Sequence, residues 1–293
     1  MKIYLSMSDP RLRTILSEAR NEADIVIIGF ASDEGCVANG GRAGAAQGPE
    51  EVFKLLPKVG PVVNVELDVD ISSMRVYLED TSSRLTHQAL QQRVSEIAGA
   101  KQLCIVVGGS NDQSLPNSLG LLKHHPNLDV VNIDAHLDVR PGVGHSGSPF
   151  QELLNHPSFQ GQFYEYATQG NQASKEHIEW ALSKGTKITW LNQVKDDSFP
   201  ALLQDKDTPL FVSFDIDAIR AADCPGVSCP GTRGLSADQA LDMCFQAGAC
   251  ERVVGLDLSE FNPAIENNIT PRLVCQMIYY FVMGASKRSK RDK

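Results

Sequence analysis

No apolar run in these 293 residues approaches the roughly 20 that a membrane-spanning helix needs. The longest, Met277 to Met283, reads as a buried helix. Positive charge is scarce too: 27 Lys and Arg face 36 Asp and Glu, a net charge of −9, which argues against a nucleic-acid partner. The seven cysteines are odd in number and scattered rather than framed, as in a protein kept in a reducing, cytoplasmic setting. Charges fall within the first dozen residues, where a secretory signal would need an apolar core. Internal repeats, low-complexity tracts and dividing linkers are all missing. One domain over 1–293 is therefore expected, with the basic stretch 287–293 frayed from it.

What is present alternates. Apolar runs at Ile25–Ile28, Val62–Val65, Leu103–Val107, Leu128–Ile133, Phe163–Tyr166, Ile188–Leu191, Leu210–Phe214 and Val253–Leu258 read as strands covered on both faces. Helical spacing follows over Arg84–Ala98, Ser114–His124, Lys175–Ser183, Ala237–Ala247 and Pro271–Gly284, the last with Thr270 as its expected N-cap. Residues 1–22 read as a short strand or helix lead-in, with helical spacing around Arg11 to Arg20, and a helix should start at Gly48-Pro49-Glu50. Strand and helix in alternation predict an α/β fold with a mainly parallel sheet of about eight strands.

Ligands of open parallel sheets collect at the carboxyl ends of the strands. There the sequence delivers Gly108-Gly109-Ser110-Asn111-Asp112, then Asp134-Ala135-His136-Leu137-Asp138, then Asp215-Ile216-Asp217, then Glu260. In an extended segment Asp134, His136 and Asp138 point to one side. Carboxylates gathered beside a core require a cation. The four charges of Asp134, Asp138, Asp215 and Asp217 match two divalent ions, and carboxylate oxygens with one imidazole favour Mn²⁺. Two such ions can hold a bridging hydroxide.

These motifs, in this order, resemble the ureohydrolase family of arginases, agmatinases and formiminoglutamases. Asp138-Val139-Arg140-Pro141, Ser146 to Phe150, and Pro225-Gly226-Val227-Ser228-Cys229-Pro230 are similar to the formiminoglutamase branch. The resemblance implies a three-layer α-β-α sandwich with an eight-stranded sheet, two Mn²⁺ per subunit and a homo-oligomer, commonly a trimer or hexamer. It implies Asp134 and Asp215 as bridging ligands, Asn111 and Asp138 on the first metal, and His136 and Asp217 on the second. The implied activity is hydrolysis of an amidine, N-formimino-L-glutamate, to L-glutamate and formamide. Asp138 would carry the proton to the leaving amine, and Glu260 would pair with the substrate amidine. Arg140, directly after the metal loop, is expected to meet a substrate carboxylate, and Asn39 lies in the glycine-rich loop implied to border the substrate. Arginase or agmatinase activity, and a non-catalytic arginase-like protein, stand as alternatives.

Two positions depart from the family pattern. Asn111 replaces a ligating histidine, and Ser146 replaces a histidine implicated in proton handling, leaving His145 as a neighbour that can substitute. Gly142 to Gly147 matches a dinucleotide-type G-x-G-x-x-G, but it follows a loop rather than a strand and reads as a flexible segment lining the site. Cys36 and Cys229 sit in two loops expected to face one cleft and form a possible redox pair. Cys104, Cys244, Cys250 and Cys275 read as core, His124 and His125 as structural, and His87, His156 and His177 as solvated. Because an amide oxygen is a weaker donor than imidazole, chelator treatment should strip the Asn111 site before the His136 site. Metal analysis that finds both ions retained contradicts that order.

Overall fold

The apolar runs become strands because each is buried on both faces. In β1 (Ile25–Phe30) all six residues are buried. Ile25 and Ile27 enter one hydrophobic core while Val26, Ile28 and Phe30 enter the other, as the two-residue period of a strand requires. The computed structural model describes residues 9–79, 84–204 and 206–289. After β1 come β2 (Val63–Asn64), β3 (Val69–Asp70), β4 (Val76–Leu78), β5 (Leu103–Gly108), β6 (Asp129–Ile133), β7 (Phe163–Thr168), β8 (Lys187–Trp190), β9 (Leu210–Asp215) and β10 (Val253–Ser259). Eight of them form one sheet in the order β4-β1-β5-β10-β9-β6-β7-β8, with every pairing parallel.

The helices are α1 (Glu34–Ala38), α2 (Gly48–Leu55), α3 (His87–Gly99), α4 (Ser114–Leu122), α5 (Pro149–Asn155), α6 (Lys175–Ser183), α7 (Ser198–Gln204), α8 (Ala237–Ala249) and α9 (Thr270–Ala285). Val52 of α2, Met243 of α8 and Ile278 of α9 share the first core; Leu90 of α3, Leu121 of α4 and Phe150 of α5 share the second. Helices thus cover both faces of the sheet, giving the α-β-α arrangement expected. The helices α8 and α9 approach so closely that a Cβ on Gly248 would lie 2.2 Å from the Phe281 carbonyl oxygen, and one on Gly284 would lie 2.0 Å from that of Phe245. Only glycine fits at that crossing.

Several sequence expectations require correction. The Val62–Val65 run does not join the main sheet; it pairs antiparallel with β3 as a separate ribbon. The eighth strand is instead β4, a three-residue edge too short to show a periodicity. Residues 11–20 form no α-helix but 3-10 turns at Leu12–Ile15 and Arg20–Glu22. Between them the chain bridges to the edge strand through Ser17 N–H and the Val76 carbonyl at 2.8 Å. Thr270 is the first helical residue of α9 rather than its cap. The Glu266 carboxylate accepts from the backbone N–H groups of Asn268, Ile269 and Thr270 and does the capping. Residues 287–289 are anchored, with Arg288 donating to the carbonyls of Ala247, Gly248 and Val253 near the end of α8. The expectation for 290–293 lies outside the described residues.

At the amino ends of β6, β9 and β10, opposite the site, Arg252 donates to Asp129 at 2.8 Å and to the carbonyls of Thr208, Leu202 and Leu203. Both partners of the ion pair are buried. Arg252→Met should leave Asp129 with Lys206 at 3.6 Å as its cationic partner and lower unfolding free energy by about 1–3 kcal/mol, read as a lower urea midpoint with unchanged slope.

Candidate active site

The four central strands β5, β10, β9 and β6 are adjacent and parallel, so their carboxyl ends open on one edge of the sheet. The chain passes from β5 to β6 with β10 and β9 inserted between them, a reversal of the kind that leaves a crevice at the strand ends. Asn111 follows β5, Glu260 follows β10, Asp215 ends β9, and Asp134, His136 and Asp138 follow β6.

The carboxylates converge by a different route from the extended alternation that the spacing predicts. Asp134 Oδ1 accepts from the backbone N–H of His136 at 2.7 Å, and Asp215 Oδ1 accepts from that of Asp217 at 2.9 Å. Each is a turn in which an aspartate holds the backbone two residues on. Asp138 (φ 46°) and Glu260 (φ 69°) adopt the left-handed region, a strain that non-glycine residues carry mainly at functional sites. As a result Asp134, Asp215 and Asp217 each offer a ligand oxygen within 4.8 Å of one another, and so do His136, Asp217 and the Cys229 thiol. His136 Nδ1 lies 3.3 Å from both Asp134 Oδ1 and Asp217 Oδ2, and its Nε2 lies 3.6 Å from Cys229 Sγ.

Without a cation the cluster is electrostatically frustrated. Burial first, then the neighbouring Asp134, raises Asp138 well above the usual carboxylate range; burial and then Asp217 do the same to Asp215. Burial pushes Asp217 up to about 6 and Glu260 up to about 8. The Asp217 carboxylate raises His136 far above its ordinary value. Asp217 Oδ1 is buried with no hydrogen-bond partner. Hard carboxylate oxygens, one imidazole and an orphaned buried oxygen fit a hard divalent cation such as Mn²⁺.

Asn111 is buried beside this group. Its Oδ1 accepts from Ser114 Oγ at 2.8 Å and Ser259 Oγ at 3.1 Å, while its Nδ2 donates to Asp138 Oδ2 at 2.6 Å. The amide nitrogen faces Asp138 in this hydrogen-bond arrangement. Asn111 here orients Asp138. Its backbone N–H also donates to Glu260 Oε1 at 2.9 Å.

A supporting layer was missed by sequence reasoning. Asn132 Nδ2 donates to Asp134 Oδ2 at 3.2 Å and Glu165 Oε2 at 3.0 Å, and burial, then Asp134, raises Glu165 well above the usual range. Two polar residues inside otherwise apolar strands were the available signal. Asp257, which burial pushes up to about 6, accepts from Ser114 Oγ and Asn117 Nδ2.

Arg140 donates to Asn39 Oδ1 at 3.1 Å, and Asn39 Nδ2 donates to Ser146 Oγ at 3.1 Å. A cavity of about 340 Å³ lies against the cluster, lined by His136, Asp138 and Arg140 on one stretch and by Asn171, Ser174 and His177 on another. His177 is therefore not simply solvated. Nor is His87, whose Nε2 contacts the buried Asp112 carboxylate while its ring packs on Phe30. His145 is not brought to the cluster: its Nε2 turns back to the Pro141 carbonyl of its own loop, 3.4 Å away. That loop is pinned rather than loose, with Ser146 N–H donating to the Gly35 carbonyl. Cys36 Sγ lies 3.3 Å from the hydroxyl of Ser228, the residue before Cys229, and burial pushes its thiol up to about 11.

A family model described as the arginase family matches residues 23–284. A solved structure of formiminoglutamase from Trypanosoma cruzi with Mn2+2 superposes with a TM-score of 0.91 at 40% identity, covering 96% of this chain and 100% of that one. An oxidized form of that enzyme at pH 4.6 superposes at 0.89 with 41% identity, covering 96% and 100%. The formimidoylglutamase of Rhodococcus jostii (strain RHA1) is 28% identical over 286 residues, 92% of this chain and 88% of that one.

Metal-free protein should lose thermal stability as pH rises from 4 to 8. Folded Asp217 keeps its proton to about 6 and the unfolded residue only to 3.8; for Glu260 the values are about 8 and 4.5. His136, raised by Asp217, likewise holds its proton after the unfolded chain has released its own at 6.5. Unfolding then releases protons, so higher pH favours it. Saturating Mn²⁺ should reverse the trend, with a melting-temperature gain that grows with pH; a gain that is flat or larger at pH 5 rejects the assignment.

Proposed function

The chain belongs to the arginase family, and from that premise we propose that it is a formiminoglutamase, hydrolysing N-formimino-L-glutamate to L-glutamate and formamide. The observation that carries this reading is the convergence of Asp134, His136, Asp215 and Asp217 from two adjacent strand ends beside a cavity that also holds Asp138 and Arg140. The relatives named as formiminoglutamase and formimidoylglutamase support it.

Manganese would be held by Asp134, His136, Asp138, Asp215 and Asp217, with Asn111 beside Asp138 as the weaker donor of the first site, in a pair by the charge balance of four carboxylates. When bound, it lowers the pKa of water and stabilises developing negative charge. The protein's own groups would do the rest. Asn111 fixes Asp138 through a 2.6 Å hydrogen bond, leaving that carboxyl poised to pass a proton to the leaving amine. Glu260, set by its strained backbone and the Asn111 N–H, would receive the amidine cation, a charge-assisted contact. Arg140, steadied by Asn39, would take the substrate carboxylate nearest the amidine. With His145 turned away, proton handling falls to Asp138.

The alternative arginase and agmatinase chemistry is separated by product. Manganese-loaded protein should release formamide from N-formimino-L-glutamate and no urea from arginine or agmatine. Urea instead of formamide selects the alternative, and inactivity on all three supports a non-catalytic protein. Light scattering tests the accompanying expectation of a trimer or hexamer.

Cys36 and Cys229 are further proposed as a redox pair, supported by Cys36 touching Ser228 and by Cys229 reaching His136. All seven thiols are free in this structure. Diamide should remove two hydrogens, join the Cys36 and Cys229 peptides in a mass map and lower activity reversibly. A Cys229→Ser protein that loses activity equally under diamide excludes the pair.

A further inference from the structure

Resting on the formiminoglutamase reading, we infer that His177 is the specificity-determining residue for the substrate's second, distal carboxylate. N-formimino-L-glutamate carries one carboxylate on the carbon bonded to the amidine nitrogen and another two methylenes farther out. A single cation cannot meet both, and a carboxylate drawn into a cavity without a partner is costly. The cavity against the metal cluster is lined from two stretches, 136–140 and 171–177; besides His136, which the metal would take, each supplies one group able to bear positive charge: Arg140 on the first, His177 on the second. Arg140 lies two residues after Asp138 and is held by Asn39, so it belongs to the metal end. His177 is the third residue of α6, is half-buried, and its backbone N–H is already taken by the cap Ser174 Oγ at 3.2 Å, which leaves the imidazole as its recognition group. Asn171 also lines a neighbouring cavity of about 370 Å³ that contains Arg233, the rival cation for the same role.

His177→Ala, and His177→Phe as the variant that keeps a ring without its polar edges, should raise KM for N-formimino-L-glutamate about 10- to 100-fold, the loss expected for a hydrogen bond to a charged group. Their kcat should stay within about twofold of the parent's. On N-formimino-L-2-aminobutyrate, which lacks the distal carboxylate, variants and parent should share one KM. Calorimetric titration of L-glutamate into the manganese-loaded proteins gives a readout separate from turnover: the parent should bind and both variants should bind at least about 10-fold more weakly. A KM rise of equal size on both substrates overturns the inference, as does a distal-carboxylate preference removed by Arg233→Ala and kept by His177→Ala. If the parent turns over no formimino substrate yet loses glutamate binding in both variants, the activity reading fails while the carboxylate site stands.

Discussion

Everything at the carboxyl edge of the sheet answers to the crowding of Asp134, Asp138, Asp215 and Asp217 at the ends of two adjacent strands. Burial and the neighbouring carboxylates hold Asp138, Asp215 and Asp217 above the usual carboxylate range, and His136 lies between Asp134 and Asp217. The strain is local and directional. Two aspartates close turns on their own backbones, and Asp138 and Glu260 accept left-handed φ values to bring their side chains inward. Such an arrangement is relieved either by protons or by a bound cation, so ion binding and folding are coupled at this site.

Rigidity behind the cluster comes from a hydrogen-bonded layer of amides, hydroxyls and carboxyls rather than from basic side chains. Asn132 ties Asp134 to Glu165, and Ser114 links Asn111 to Asp257. Neither layer cancels the negative charge, so both position ligands without competing with a cation for them. Beneath them, two hydrophobic cores clamp the sheet from either face, and the Arg252–Asp129 pair locks the far end of the same strands. The site is set on four strands that cannot shift independently.

Legibility followed the range of the interactions. The two-sided strands and the helices Ser114–Leu122, Lys175–Ser183, Ala237–Ala249 and Thr270–Ala285 were readable because their signal lies in spacing along the chain. The edge strand Val76–Leu78 was not, since three residues paired to one neighbour carry no periodicity. Glu266 displaced Thr270 as the cap of α9 because a loop carboxylate reached three backbone N–H groups at once. The failed helix at Arg11–Arg20 lost to a bridge with β4, a partner far along the chain.

The sequence by itself determined which strand ends carry the carboxylates, since Asp134, His136, Asp138, Asp215 and Asp217 occupy the first positions after apolar runs. Side-chain orientation was decided only by the tertiary structure. The Asn111 amide turns its nitrogen toward Asp138 because Ser114, three residues on, and Ser259, remote in sequence, donate to its oxygen. His145 faces its own loop, and His177 reaches the cavity because α6 is packed where residues 136–140 pass. Spacing along a chain specifies which residues arrive at an edge. Where each polar atom then points depends on the hydrogen-bond partners that folding alone brings within reach.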